Sequence, residues 1–291
     1  MSEIVEPVFL IGATSGIGGE VRQRLLERGR RLVSLSRDPT KLGPPVAGET
    51  QRQCDLMDGN STRAALKDAR IIISCVHARF VDQILKVSND SGIRLIQMGS
   101  TRAFSRVPDP TVNLVANGEK SLKASRLSWV MLQSTMIHGF NGEDNIQRIR
   151  QLVRRSPILP LPGGGKALMQ PIHTSDVVRS VLACLDNPNV TGPIIIAGRS
   201  ALSYRDLVHA VAKTEGRRIL IIPLPIPLLL ALRHVLAMIR FGPRMSREEI
   251  LRLQEDKCFD IGRMRAELGV NPLDFIEALQ LSNEQEGIKY E

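Results

Sequence analysis

The stretch Gly12-Ala13-Thr14-Ser15-Gly16-Ile17-Gly18 constrains this chain more than any other, because it lies between the apolar run Val8–Ile11 and a segment of helical periodicity. Glycines at its three positions let the backbone turn tightly. They also leave no Cβ between a pyrophosphate and the N-terminus of the following helix. Ile17, Val21 and Leu25 fall on one face of that helix, and Gly29 stands after its last turn as a stop signal. Strand, glycine turn and helix in this order predict dinucleotide binding; the competing reading is a glycine turn that serves packing alone. The residues expected to touch the dinucleotide here are Gly12, Thr14, Ser15, Gly16, Ile17 and Gly18.

Four further apolar runs follow, Leu32–Leu35, Ile71–Ser74, Ile93–Met98 and Trp129–Leu132, separated by turns and amphipathic segments. The runs do not alternate with polar residues, as expected of parallel strands buried on both faces. The predicted fold class is α/β: a Rossmann-type doubly wound parallel sheet with a smaller C-terminal α+β lobe. Residues 1–139 are read as the dinucleotide-binding domain, with sheet elements returning from later segments. Residues 140–291, richer in Pro- and Gly-containing connections, are read as the substrate or partner lobe. In that lobe Thr174 or Ser175 can cap a helix whose apolar face is Val177, Val181 and Leu185. Ser203 with Asp206, and Ser246 with Glu249, have capping-box spacing.

Composition narrows the class. Hydrophobic residues make up 43% and charged residues 24%, ordinary for a globular body. Cys54, Cys75, Cys184 and Cys258 are far apart and form no Cys-x-x-Cys pair, so neither a disulfide framework nor a metal site is expected; they read as buried free thiols in a reducing cytoplasm. Met1–Glu6 carries two glutamates and no basic or apolar leader pattern, so no secretory signal is expected and the location reads as cytoplasmic. The net charge of +9 is spread along the chain and aromatics are only 3%, which argues against nucleic-acid binding.

Cofactor choice turns on the end of the second run, Ser34-Leu35-Ser36-Arg37-Asp38. A carboxylate there bonds the ribose 2′-hydroxyl of NAD, whereas a cation meets the 2′-phosphate of NADP. Arg37 occupies the cation position and the Ser36 hydroxyl can add a donor, which favours NADP(H). Asp38, as an NAD-type acceptor or as the partner of Arg37, keeps NAD(H) as the alternative.

With these pieces the chain resembles the extended or atypical branch of the short-chain dehydrogenase/reductase superfamily. Within it, the chain is similar to NmrA-like and NAD-dependent epimerase-like proteins, including the dehydrogenase-like accessory subunits of respiratory complex I. Besides the glycine turn, the matching segments are Cys54-Asp55-Leu56, Gly99-Ser100-Thr101, and Gln170-Pro171-Ile172-His173 leading into Asp176-Val177. The resemblance implies that Asp55, with Leu56 beside it, contacts adenine and that Ser100 belongs to a catalytic group.

One departure bears on activity. Members that transfer hydride carry a Tyr-x-x-x-Lys pair, whose lysine lowers the tyrosine pKa so that it can exchange a proton with the substrate oxygen. Here the tyrosines are Tyr204 and Tyr290, neither followed by lysine at that spacing, and alignment through Glu119–Ser125 puts Thr111 and Val115 at the pair's positions. Substitute proton donors are Ser100, His77 and His138, while Lys120 and Lys123 read as a solvated helix face, His173 as structural and Gly163–Lys166 as a turn near the cleft. The leading reading is a protein that holds NADP(H) as a structural or sensory group and acts through a protein partner. The alternative is a working reductase or nucleotide-sugar epimerase with a non-tyrosine acid. Finally, Leu220–Ile239 is uncharged before Arg233 but too proline-broken to span a membrane. It is read either as packed by the second lobe or, with basic flanks Arg217, Arg218, Arg240 and Arg244, as a patch within 220–244 for a partner or an anionic membrane surface.

Overall fold

In the computed structural model, which describes residues 6–88, 92–107, 110–139, 144–228 and 247–287, the five apolar runs form neighbouring strands of one sheet. These are β1 (Val8–Ile11), β2 (Leu32–Ser36), β4 (Ile71–Ser74), β5 (Arg94–Ser100) and β6 (Ser128–Ser134). Two further strands, β3 (Glu49–Gln53) and β11 (Gly192–Ile196), complete a seven-stranded sheet of order β11-β6-β5-β4-β1-β2-β3. Every pairing in it is parallel.

Side chains alternate between two cores. Val8, Leu10, Ile73, Ile96, Val130 and Leu132 face one core with Val21 and Leu25 of α1 (Gly16–Glu27) and Val177 and Val181 of α6 (Thr174–Asp186). Phe9, Ile11, Leu35, Ile72, Leu95 and Met131 face the other, under α2 (Gly59–Ala65), α3 (Val81–Val87) and α4 (Pro110–Ala124). Burial on both faces is why these strands read as unbroken apolar runs. The edge strand β3 is the exception, with the sequence Glu-Thr-Gln-Arg-Gln.

Two charged side chains fix the sheet to its helices. Arg22 of α1 donates twice to Glu49, at 2.6 Å each, and Ser34 donates to the same carboxylate at 2.5 Å. Burial opposes ionisation of Glu49, but the bonds from Arg22, Ser34, Gln51 and the Val46 amide outweigh it and bring its pKa down to about 2. At the start of β5, buried Arg94 donates to the carbonyls of Cys184, Asn187, Pro188 and Val190, closing the C-terminal end of α6 just before the chain returns as β11. A cation there complements the negative end of the helix.

The remaining elements build a second lobe around a third core, from Ile146 and Ile149 to Phe275 and Leu279. They are β7 (Ile137–His138), α5 (Asn145–Arg155), β8 (Ile158–Pro162), β9 (Leu168–Met169), β10 (Ile172–His173), β12 (Leu202–Ser203), α7 (Tyr204–Thr214), β13 (Leu220–Leu224), α8 (Arg247–Arg252), α9 (Gly262–Leu268) and α10 (Phe275–Gly287), of which β10 puts Ile172, and α9 puts Met264 and Leu268, into the first core instead. Three two-stranded pairs, β10 with β7, β12 with β9 and β13 with β8, replace the long sheet.

Some expectations change. Neither Thr174 nor Ser175 caps α6; the cap is His173, whose Nδ1 accepts from the Ser175 amide at 3.2 Å, because the hydroxyl residues lie one and two positions inside the helix. Ser203 does cap α7, accepting from the Asp206 amide at 3.0 Å. Ser246 lies outside the described residues. All four cysteines are free, but Cys258 is exposed. Leu220–Leu224 is a strand and residues 226–228 are helical; residues 229–246, with Arg233, Arg240 and Arg244, lie outside the described residues.

Candidate dinucleotide site

The glycine turn leaves β1 at the point where the sheet order reverses, between β1 and β4, the position at which open parallel sheets bind ligands. Gly12 has φ +82°, and a Cβ there would come within 2.8 Å of Val76 Cγ1 beyond β4. A Cβ on Gly18 would lie 2.0 Å from the Gly12 carbonyl oxygen, so the first turn of α1 closes against the loop only with glycine. Ser15 caps α1, its Oγ accepting from the Gly18 amide at 3.0 Å. Backbone amides of the turn are held in place by the neighbouring strand, since Gly12 and Ala13 both donate to the Leu35 carbonyl. The arrangement directs the positive end of α1 at a cleft of about 430 Å³ lined by Ser15, Gly16, Ile17, Cys75, Thr135, Ile137, Asp144, Asn145 and Arg148.

At the end of β2, Ser36 is buried and its Oγ has no partner among the described residues. Arg37 is exposed and makes no ion pair among the described residues. Asp38 is committed elsewhere: its Oδ1 accepts from the Thr40 hydroxyl at 2.5 Å and the Thr40 amide at 3.2 Å, capping the short turn Pro39–Leu42. The Thr40 hydroxyl bond, ahead of the Lys41 charge, holds its carboxyl below the usual range. Asp55 begins the next loop, its Oδ1 accepting from the Met57 amide at 3.0 Å, and the Leu56 side chain is core.

A second cavity of about 850 Å³ opens beyond the first, at the ends of β5 and β6 and against the second lobe. Thr135, Asn145 and Arg148 line both. Ser100 lines the larger cavity and accepts from the Arg102 amide at 3.2 Å. The loop after it is latched across the mouth: Ser105 Oγ and the Arg106 amide each donate to Glu255, at 2.7 Å.

The other candidate acids fall elsewhere. His77 is exposed, uses Nδ1 to accept from the Arg79 amide at 3.1 Å, and lines neither cavity. His138 is 1% exposed, edge-on to His173 and Phe275, and burial first, then His173 and Arg150, takes its pKa down to about 3. Val115 is 1% exposed inside the second core, and Thr111 lines neither cavity. Lys120 and Lys123 are exposed on α4, Lys123 paired with Glu119 at 2.6 Å. Gly163–Gly165 turn beside Pro223, Arg205 and Gln254, the last of which lines the larger cavity, and line neither cavity themselves.

Sequence reasoning missed four residues of the site: Thr135, Asn145, Arg148 and Tyr204. Tyr204 lines the larger cavity from the first position of α7, and burial pushes its phenol up to about 12. Val208 stands where a lysine four residues on would be. Asn145 and Arg148 open α5 behind the Asp144 cap, a signal legible as an Asp preceding an amphipathic helix.

Comparison with known proteins agrees with this geometry. The profile of the family described as "NAD(P)H-binding" matches residues 12–188. An NADH dehydrogenase [ubiquinone] 1 alpha subcomplex subunit 9 of Arabidopsis thaliana mitochondria is 25% identical over 209 residues, 64% of this chain and 51% of the relative, so the chain spans about half that protein's length. Among solved structures, a UDP-glucose 4-epimerase of Thermotoga maritima with UDP-glucose superimposes with TM-score 0.75 at 14% identity, covering 98% of this chain and 100% of the other. A nucleoside-diphosphate-sugar epimerase of Staphylococcus aureus gives 0.72 at 14% identity, over 94% and 99%. The protein MoeE5, bound to UDP-glucose and NAD, gives 0.68 at 16% identity, over 98% and 100%. With a glycine turn that only glycine can build and a family match spanning the sheet from that turn to the end of α6, the chain belongs to the NAD(P)H-binding family, on the fold of the epimerases and short-chain dehydrogenases/reductases.

Proposed function

We propose that the chain holds NADP(H) in the cleft at the glycine turn as a structural or redox-sensing group, with little or no hydride turnover, and acts through a protein partner. The observation that carries this reading is the pairing of an intact cradle, closed to any side chain at Gly12 and Gly18, with an α4 position where Val115 is packed into the core. Gly16, Ile17 and the α1 N-terminus would face the pyrophosphate, Arg37 and Ser36 the 2′-phosphate, and Asp55 with the Leu56 backbone the adenine. When bound, the nicotinamide supplies hydride chemistry. Among the described residues the phenol available to it is that of Tyr204, and burial moves its pKa up rather than down. Arg37, with no ion pair among the described residues, beside a buried Ser36 hydroxyl with no partner among them, supports NADP(H) over NAD(H). Residues 1–139 would carry the cofactor and 140–291 the partner or substrate contacts. Similarity to a respiratory-complex subunit supports the partner.

The second reading is an NADP-dependent reductase or nucleotide-sugar epimerase. One observation favours it: Ser100 and Tyr204 line the same 850 Å³ cavity, and that cavity shares Thr135 with the dinucleotide cleft. The test incubates the protein with NADPH and a panel of carbonyl compounds, and with UDP-glucose, following reduced-nicotinamide absorbance and sugar interconversion. The proposal expects neither to change. Turnover that is lost in Ser100→Ala establishes the second reading instead.

A further inference from the structure

The ribbon formed by β8 and β13 has the wrong outer face for a strand pair exposed to water. In the parallel register Ile158 pairs with Leu220, Leu159 with Ile221 and Pro160 with Ile222. Leu159, Leu161 and Ile221 point into the third core. A half-buried strand is expected to put polar residues on its other face. Here the other face presents Ile158 at 45% exposure, Leu220 at 60% and Ile222 at 43%, and Leu228 beyond the ribbon is 46% exposed.

Charge is placed at one end of this face. Parallel strands start together, so Arg155, which ends α5 before β8, and Arg217 with Arg218, which precede β13, lie at the same end of the ribbon. The two segments are tied by the Leu220 amide donating to the Pro157 carbonyl at 2.7 Å. All three arginines are exposed and without ion pairs among the described residues. The nearby carboxylate, Glu215, is occupied by Arg154 at 2.5 Å and Arg150 at 3.7 Å. The ribbon edges suit a further strand poorly, because Pro160 and Pro162 in β8 and Pro223 in β13 lack the amide donors a ladder needs. What the ribbon offers is therefore a side-chain face with a cationic border.

We infer that the outer face of the β8–β13 ribbon rests on an anionic lipid surface, with Ile158, Leu220 and Ile222 entering the headgroup boundary and Arg155, Arg217 and Arg218 meeting lipid phosphates. This attachment is independent of the cofactor reading. Apolar area and juxtaposed cations are the two attractions that hold a protein on such a membrane.

Co-sedimentation of the full chain with phosphatidylcholine vesicles, with and without about one-third phosphatidylserine, tests it. The chain should pellet with the anionic vesicles and not the neutral ones, and added salt should release it. Leu220→Asp with Ile222→Asp should weaken the association by about tenfold or more, as should Arg217→Ser with Arg218→Ser, at about fivefold per arginine. All four positions are exposed, and unchanged melting of each variant checks the fold. Failure to pellet with anionic vesicles overturns the inference. So does equal pelleting by both variants, which would put the lipid contact elsewhere, or a self-associated dimer in light scattering that the aspartate pair dissolves.

Discussion

The glycine turn and the middle of α4 border the same sheet, yet they differ in how tightly the fold specifies them. At Gly18 a Cβ would lie 2.0 Å from a backbone oxygen, and at Gly12 a Cβ would crowd Val76 at 2.8 Å on a backbone of φ +82°. At Thr111 and Val115, the positions expected from the sequence to match a Tyr-x-x-x-Lys pair, one residue lines neither of the two cavities and the other packs in the core. Binding geometry and proton-transfer chemistry are thus separable on this fold. One rests on backbone closeness at Gly12 and Gly18, and the other would rest on two side chains that packing can replace.

The largest effect should come from Gly18→Ala. Its Cβ meets backbone rather than a side-chain tip, so the loop must move, lowering stability by about 3 kcal/mol and removing any rise in melting temperature on adding NADPH. Thermal unfolding with and without NADPH measures both. An unchanged response would show that the turn does not bear on the ligand. Next, Thr111→Tyr with Val115→Lys puts an ammonium into a core of Val81, Leu122 and Met131. Denaturant unfolding should show a loss of about 2 kcal/mol or more and the variant should gain no turnover. A folded, active double variant would break the comparison, because α4 would then present those positions to the ligand.

Arg37→Ala should remove a charge-assisted contact, weakening NADPH binding by about tenfold or more while sparing NADH. Titration calorimetry with both nucleotides reads the split. The smallest effect should be that of Glu255→Ala, which releases Ser105 and the Arg106 amide at the mouth of the larger cavity. Faster hydrogen exchange of residues 101–107 with stability lowered by about 1 kcal/mol is expected, and no change in NADPH affinity.

Much of the fold was legible because the central strands are buried on both faces and read as continuous apolar runs. β3 carried no such signal: its five residues are polar, and it is held by Glu49 meeting Arg22 and Ser34, a contact between residues far apart in sequence. β11 lies far along the chain from β6, its neighbour in the sheet, and Arg94 ties the carbonyls that precede it from about 90 residues away. In the site, Gly12 to Gly18 were visible because their spacing reflects a backbone requirement. Thr135, Asn145 and Arg148 were not, since they reach the cleft through the packing of the second lobe on the sheet, and the exposed turn cap His77, which lines neither cavity, carries the same sequence signal as a cleft acid after a strand.

The central claim, that this cradle holds NADP(H), is tested most directly by releasing the small molecules from the purified full chain and identifying them by mass spectrometry. The account predicts NADP+ or NADPH, and Arg37→Ala protein carrying far less of it. NAD+ or NADH in the parent protein, retained undiminished by Arg37→Ala, would contradict the assignment of Ser36 and Arg37 to a 2′-phosphate.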